Sequence, residues 1–412
     1  MAFQQGLSGL NSASKNLDVI SNNVANASTV GFKGSRAMFA DVFANSLNGA
    51  GASQVGIGSK VAAVSQEFGQ GNVTSTSNPL DVAVNGNGFF RVSKDGTISF
   101  TRNGQFHLDP DGYLVNTENQ RVTGYGTDRS ANIIATAPID IKLQASDIPP
   151  LATTTFRFGA NLDAGASQPT AAVFNSADPT SYNNTTSGSV YDTLGNAHVL
   201  SYYFVKAPAS GQWNVYGSVN GTPVSNVDLG AGGGNPLVLN FDSTGSLTTP
   251  MPITASLTIT GGATSPIGFS LDMSAMTQFG SPFSVNSLFQ DGYSSGRLAG
   301  VNIGSDGTIK GRYTNGQSQN LAQIVLAQFA NPNGLKSLGQ NQWADSPDSG
   351  LPVIGTPNSG SLGVLQSSAV EDSNVDLTAE LVAMITAQRF YQANAQSIKT
   401  QDDVMQTLVN LR

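Results

Sequence analysis

Apolar positions recur every three or four residues at the two ends of the chain and every second residue between them. At the N-terminus Phe3, Leu7, Leu10, Ala13, Leu17, Ile20 and Val24 fall on one face of a 3.6-residue repeat, with Gln, Ser and Asn on the opposite face. The spacing predicts a helix over 3–24, about 33 Å long at ~1.5 Å per residue. At the C-terminus Leu377, Leu381, Met384, Tyr391, Ala395, Ile398, Met405 and Leu408 repeat the pattern, interrupted by Gln388 and Asp402. Asp376 stands where an N-cap is needed, Glu380 lies near the positive end of the helix dipole, and no proline occurs from 358 to 412. Each helix would expose a whole apolar seam in water. The expectation is that the two pair with each other and with neighbouring copies, as in a coiled coil; packing on a globular core is the plainer alternative.

Residues 44–60, with Gly49, Gly51, Gly56 and Gly58, stop any helix continuing from the N-terminus and read as a flexible or irregular connector. From about 73 the period becomes two. Leu80, Val82 and Val84 alternate with polar neighbours, and turns follow at Asn85-Gly86-Asn87-Gly88, Lys94-Asp95-Gly96, Asn103-Gly104 and Asp109-Pro110-Asp111-Gly112. The same texture returns over 296–330. Between the two blocks, Pro149-Pro150 opens a stretch with its own strands near Trp213–Val219 and Pro236–Phe241. It holds seven Asp, one Arg, one Lys and no Glu up to Asp291.

The predicted fold is therefore mostly β with long α-helical termini, built of nested β domains of which the outer one is discontinuous. Residues 1–25 and 375–412 form paired terminal helices, and 26–75 with 366–374 a connector. Residues 76–147 and 292–365 form the discontinuous β domain, and 148–291 an inserted outer β domain.

Composition narrows the function. Charged residues make up 11% of the 412-residue chain, against an ordinary value of about 25%. The surface must be mostly Ser, Thr, Asn, Gln and Gly, which lets copies approach without much like-charge repulsion. A net charge of −8 with unclustered Lys and Arg disfavours nucleic acid. There is no cysteine, and neither a signal-peptide pattern nor a membrane-spanning run is expected.

No catalytic constellation emerges. His107 and His198 read as hydrogen-bonded or solvated strand histidines, and Asp109 and Asp111 as turn residues because no further ligand closes a calcium loop. The Gly-x-Gly pieces lack a βαβ context, and no Gly-x-Ser-x-Gly elbow occurs. No enzyme activity, cofactor or metal is expected.

The stretch Leu17-Asp18-Val19-Ile20-Ser21-Asn22-Asn23-Val24-Ala25-Asn26, followed by Thr29-Val30-Gly31-Phe32-Lys33, closely resembles the N-terminal motif of the bacterial flagellar rod and hook family. Its motif residues here are Asn22, Asn23, Asn26, Gly31, Phe32 and Lys33. At the other end, Ser373-Asn374-Val375-Asp376-Leu377 and Gln388-Arg389-Phe390-Tyr391-Gln392-Ala393-Asn394-Ala395 resemble that family's C-terminal motif. Leu80-Asp81-Val82-Ala83-Val84 with Gly88-Phe89-Phe90 is similar to its first β block. The chain length and the large insertion favour the hook members over the short rod members.

The resemblance implies a structural subunit that polymerises into a flexible curved tube, a universal joint carrying torque from the rod to the filament. A distal rod subunit and an exported adhesin are the alternatives. The implied partners are further copies of the chain, the distal rod protein, the hook cap protein, the hook–filament junction protein and the flagellar type III export apparatus. The implied location is outside the cell, in the hook, reached without a cleaved signal peptide. The polymerisation seam would be Phe3, Leu7, Leu10, Leu17, Ile20 and Val24 with Leu377, Leu381, Met384, Tyr391, Ile398, Met405 and Leu408.

Overall fold

The computed structural model describes residues 2–42, 56, 58–128, 130–143, 147–221, 226–230 and 236–410. Both expected helices form: α1 over Ala2–Ala25 and α2 over Leu377–Asn410. The Asp376 carboxylate accepts from the backbone N–H groups of Thr378 and Ala379 at 2.9 and 3.2 Å, so it is the N-cap of α2. Everything between the helices that is regular is strand, apart from two single 3₁₀ turns at Pro179–Ser181 and Pro332–Gly334 among the described residues.

The chain divides into two compact units, one of residues 1–145, 300–312 and 318–412, the other of 146–299 and 313–317. In the first unit, strands from the two halves of the sequence interleave. Phe89–Lys94 pairs with Leu326–Gln328, Thr97–Thr101 with Gln342–Ala344, and Arg121–Thr127 with Ser318–Ile324, all antiparallel. Val82–Asn85 likewise pairs with Val364–Ser367, and Val73–Ser75 with Ala369–Glu371. The alternation visible in the sequence supplies the core: Val82, Val84, Phe90, Val92, Ile309, Ile324 and Leu326 are all fully buried. Phe89, Phe100, Phe329 and Trp343 form a second cluster with edge-on ring contacts.

The connector expected around 26–75 contains a regular hairpin. Strand β1 (Ser35–Val42) pairs antiparallel with β2 (Gly58–Gln66), while most of the glycine-rich 44–60 lies outside the described residues. The hairpin was illegible because its strands show no sustained alternation of polar and apolar residues and its partner surface is helix α1, not a core of its own.

One buried ion cluster ties these pieces together. Glu371, fully buried, accepts from Lys33 Nζ at 2.6 Å, the Gly71 backbone N–H at 2.9 Å and Arg102 Nη1 at 3.2 Å. Lys33 also donates to the Gly69 carbonyl at 2.7 Å, and Arg102 donates to the Gly86 carbonyl at 2.9 Å while lying over the Phe89 ring. Arg102 Nε has no partner among the described residues. Burial lowers the affinity of both cations for their protons, against the opposing pull of Glu371.

The second unit is a sandwich. A six-stranded sheet containing Thr155–Asp163, Ile253–Leu257, Ile267–Asp272 and Ser284–Gln290 faces a four-stranded sheet in the order Asn184–Tyr191, Ala197–Lys206, Gln212–Val219, Leu237–Asn240. Their inner faces share one core that includes Phe156, Phe158, Tyr202, Phe204, Trp213 and Leu271. His198 is the expected hydrogen-bonded strand histidine, 3.1 Å from Asp192 and 2.9 Å from Asn220.

Two predictions arise. Glu371→Gln leaves two buried cations without their anion and should cost about 3–5 kcal/mol in denaturant unfolding. Lys33→Met removes the excess positive charge and should cost less; a larger loss for the lysine variant would refute this balance. Burial opposes the Asp192 charge, but hydrogen bonds from Asn196, His198 and Leu194 outweigh it and hold the carboxyl at about 2, below its ordinary 3.8. A depressed folded-state value stabilises above the ordinary value and is lost as pH falls through about 2. Acid unfolding of Asp192→Asn should therefore lack part of the wild-type slope between about pH 4 and 2.

Candidate assembly interface

Helices α1 and α2 pair antiparallel. A Cβ added to Gly6 would lie 3.0 Å from Ile398 Cγ1, one added to Gly9 would lie 2.6 Å from Asn394 Oδ1, and Asn23 Nδ2 donates to Glu380 Oε1 at 3.0 Å. Ala13, Ile20 and Ala387 are the apolar residues buried in this contact. With 24 residues against 34, α2 runs past the start of α1 and leaves its last two turns unpaired by it.

The contacting face differs from the apolar stripe. On α1 it is Gly6, Gly9, Ala13, Asn16, Ile20 and Asn23, displaced by roughly a quarter turn at ~100° per residue from Phe3, Leu7, Leu10 and Leu17. Small residues let the helix backbones approach closely, so they win the intrachain contact. The Gln and Ser face, expected to meet solvent, seats the hairpin instead. Gln5 Nε2 donates to the Gly56 carbonyl at 2.6 Å, and Ser12 bonds Ser59 at 3.0 Å.

The bulky stripe is what remains outside. Phe3 is 51% exposed, and Leu7 and Leu381 are 44% each; Leu377, Tyr391 and Met405 are also exposed. Leu10, Leu17, Val24, Met384, Ala395 and Ile398 are half-buried, and the side chain of Leu408 lies outside the described residues. Within one chain, then, most stripe residues are not brought together; the exceptions are Ala13, Ile20 and Ile398, the last packed against Gly6. Sequence reading missed Val382, Ile385 and Phe390, which are exposed at 60%, 52% and 63% and widen the apolar surface of α2. Their spacing of three and five from one another falls off a single stripe, which hid them. So many exposed large apolar side chains on one helix suit a contact with another protein surface.

The motif residues have a different role, since they fasten the helices to the β body. Asn23 is buried; beyond its bond to Glu380 it donates to the Ser35 carbonyl at 2.8 Å and accepts from the Ser35 N–H at 2.9 Å. Asn26 Nδ2 donates to the Asn22 carbonyl and Oδ1 at 3.0 and 2.7 Å, closing the end of α1. Gly31 has φ +70°, and a Cβ there would sit 2.7 Å from the Asn103 nitrogen, so only glycine fits. Phe32 is buried beside it, and Lys33 enters the ion cluster. From the other end, Asn374 accepts from the Gly34 N–H at 2.8 Å and donates to the Glu67 carbonyl at 2.7 Å.

Nothing in this region is arranged for chemistry. Among the described residues no group of His, Asp and Glu could hold a metal ion, and no helix is long and apolar enough to cross a membrane.

Four family models match in chain order. They are "Flagella basal body rod protein" over 3–33, "Flagellar hook protein FlgE/F/G D1 domain" over 83–154, "Flagellar basal body protein FlaE D2 domain" over 161–293 and "Flagellar basal body rod FlgEFG protein C-terminal" over 366–411. Flagellar hook protein FlgE of Escherichia coli K12 is 42% identical, with all of both chains covered. The chain belongs to the flagellar hook protein family. FlgE of Treponema pallidum is 32% identical over 99% of this chain and 98% of its own. The crystal structure of Helicobacter pylori FlgE2 shares the fold with a TM-score of 0.52 at 16% identity, covering 72% of this chain and 100% of that one. Hook family members are structural, and the chain is no enzyme.

Gly9→Val tests the helix contact. It should raise hydrogen exchange throughout α1 and the paired part of α2 while the strands of the first unit keep their protection. Unchanged exchange in both helices would show that close approach at Gly9 is dispensable.

Proposed function

We propose that the chain is the subunit from which the curved tube of the flagellar hook is built, and that the exposed stripes of α1 and α2 are its polymerisation seam. The observation carrying this reading is the inverted helix pair. Small and polar faces are used up inside the chain, while Phe3, Leu7, Leu377, Leu381, Val382, Ile385 and Phe390 stay exposed. Fully burying such a side chain is worth about 1.5–3 kcal/mol before ordering costs. Several per copy, repeated around a tube, suffice for assembly, though one helix pair alone is marginal.

The same economy suits export. Helices whose bulky side chains find no intrachain cover are weakly held until neighbours arrive, which favours passage in unfolded form through the flagellar type III apparatus. We assign the helices to the inner wall of the tube and the two β units to its outer layers. The distal rod protein, hook cap protein and hook–filament junction protein are the further partners this reading implies.

Leu7→Asp and Leu381→Asp should leave the circular dichroism and melting of the β units unchanged and abolish tube formation in electron micrographs under polymerising conditions. Normal tubes from either variant would remove the seam from its proposed role.

A further inference from the structure

In the second unit His198 ties the end of a strand to the turn that precedes it. It closes the inward-facing row His198, Leu200, Tyr202 and Phe204 of Ala197–Lys206, and its side chain is 11% exposed. Asp192 Oδ2 lies 3.1 Å from Nε2, and Asn220 Nδ2 lies 2.9 Å from Nδ1. The Asn220 amide is oriented from its other end, since Oδ1 accepts the Val199 N–H at 2.8 Å. Its NH2 group therefore donates to the ring. Nδ1 is bare in this arrangement, and Nε2 carries the proton that Asp192 accepts.

Both partners of the ring have other work. Asn220 extends the strand pairing one step past Leu200 and Val219: its backbone N–H donates to the Val199 carbonyl at 2.8 Å, and its side chain stands in for the carbonyl that would bond Val199 in return. Asp192 accepts from the Leu194 and Asn196 N–H groups at 2.9 Å each and so shapes the turn 192–196. That turn rests where the chain enters and leaves the second unit. A Cβ on Gly195 would lie 2.7 Å from Pro150 Cβ and 3.4 Å from Ser294 Cα, and the entering and leaving segments are joined by the Ile148–Gly296 and Leu151–Tyr293 bridges. One imidazole thus couples the base of the unit to a strand end.

We propose that His198 is a pH-sensitive clasp, which on taking up a second proton keeps Asp192, lets go of Asn220 and so frees the Val199 end of the strand pairing. A proton added at Nδ1 would point at the Asn220 NH2 group, and two donors cannot bond each other. If the amide turns its oxygen to the ring instead, the Val199 N–H loses its acceptor. The new charge is itself matched, because it forms beside the Asp192 carboxylate, whose hydrogen bonds hold it at about 2 and keep it ionised. Protonation therefore exchanges a hydrogen bond and buries no bare cation. The other titratable groups on the elements packed around the ring are Tyr191 and Tyr216 on the flanking strands, Asp228 on Val227–Asp228, Asp291 and Tyr293 beneath the turn, and Tyr202, Tyr203 and Lys206 on its own strand. None of these bonds the ring among the described residues; Asp228 accepts the Gly230 N–H, and Asp291 those of Thr154 and Thr155. The device lies within one chain and does not depend on how copies assemble.

The chain has two histidines, and the other, His107, is exposed on its strand, so a His107→Gln background leaves His198 as the sole imidazole. In that background, hydrogen exchange of the Val199 and Asn220 amides, corrected for intrinsic rate, is followed from about pH 8 to about pH 5, where imidazole charge changes. Protection of both should fall about fivefold or more toward acid, the worth of one hydrogen bond, while the Tyr202 and Phe204 amides keep theirs. His198→Gln should abolish the fall. Asn220→Asp, whose carboxylate can accept from the ring and from Val199 together, should keep Val199 protected at the acid end, and it decides the matter if the glutamine variant does not fold. A flat profile in the background chain, a fall shared by Tyr202 and Phe204, the same fall in His198→Gln, or acid loss of Val199 protection in Asn220→Asp would each overturn the clasp.

Discussion

The position of the terminal helices depends on a single buried carboxylate. Glu371 ends the last strand of the first unit, five residues before the N-cap of α2, and it holds Lys33, eight residues beyond the end of α1, together with Arg102 from the β body. Residues separated by more than 300 positions are thereby fixed at one point. Taking these charges out of water is costly, and an apolar cluster of the same volume could match their stability. What it could not match is direction. Three donors on two oxygens define where both chain segments must lie.

From this anchor the helices leave together and use their faces in an unusual division. Close approach is assigned to Gly6, Gly9, Ala13 and Ala387, and the hairpin occupies the polar side through Gln5 and Ser12. The large apolar residues are left for outside contacts. A globular protein turns the same amphipathic pattern inward, because there the bulky face has the most to gain from burial. The reversal is stable here only because the contacts made by small residues are short and backed by the Asn23 and Asn374 hydrogen bonds.

The sequence made some of this plain and concealed the rest. Helix ends, the Asp376 cap and the alternating strands were legible because each follows from local spacing and capping chemistry. The face that meets the partner helix was not, since periodicity reports where apolar residues lie and says nothing about which face a neighbour selects. Gly31 and Lys33 could be recognised as motif residues, but their function as anchors depends on Arg102 and Glu371, which only the fold brings near. The hairpin β1–β2 was hidden because its strands lack a sustained alternation of polar and apolar residues.

The scarcity of charge becomes intelligible once the acidic residues are followed individually. Asp163, Asp178, Asp192, Asp228, Asp242, Asp272 and Asp306 each accept a backbone N–H two residues ahead in their own turn. Their charge shapes turns that would otherwise be open, as local side-chain to backbone bonding does generally. Lys33, Arg102 and Glu371 are buried; among the described residues Lys15 pairs with Asp18 on the surface and Arg121 with Asp140 at a half-buried site. At 11% charged residues the chain has few groups with which to fix contacts between copies by salt bridges. Contacts of the kind proposed for the apolar seams have no single preferred separation such as a salt bridge imposes, which would let neighbouring copies shift by small amounts at low cost. A tube that must bend as it turns, lengthening on one side and shortening on the other, requires contacts with that tolerance, while the rigid Glu371 anchor keeps each subunit itself from deforming.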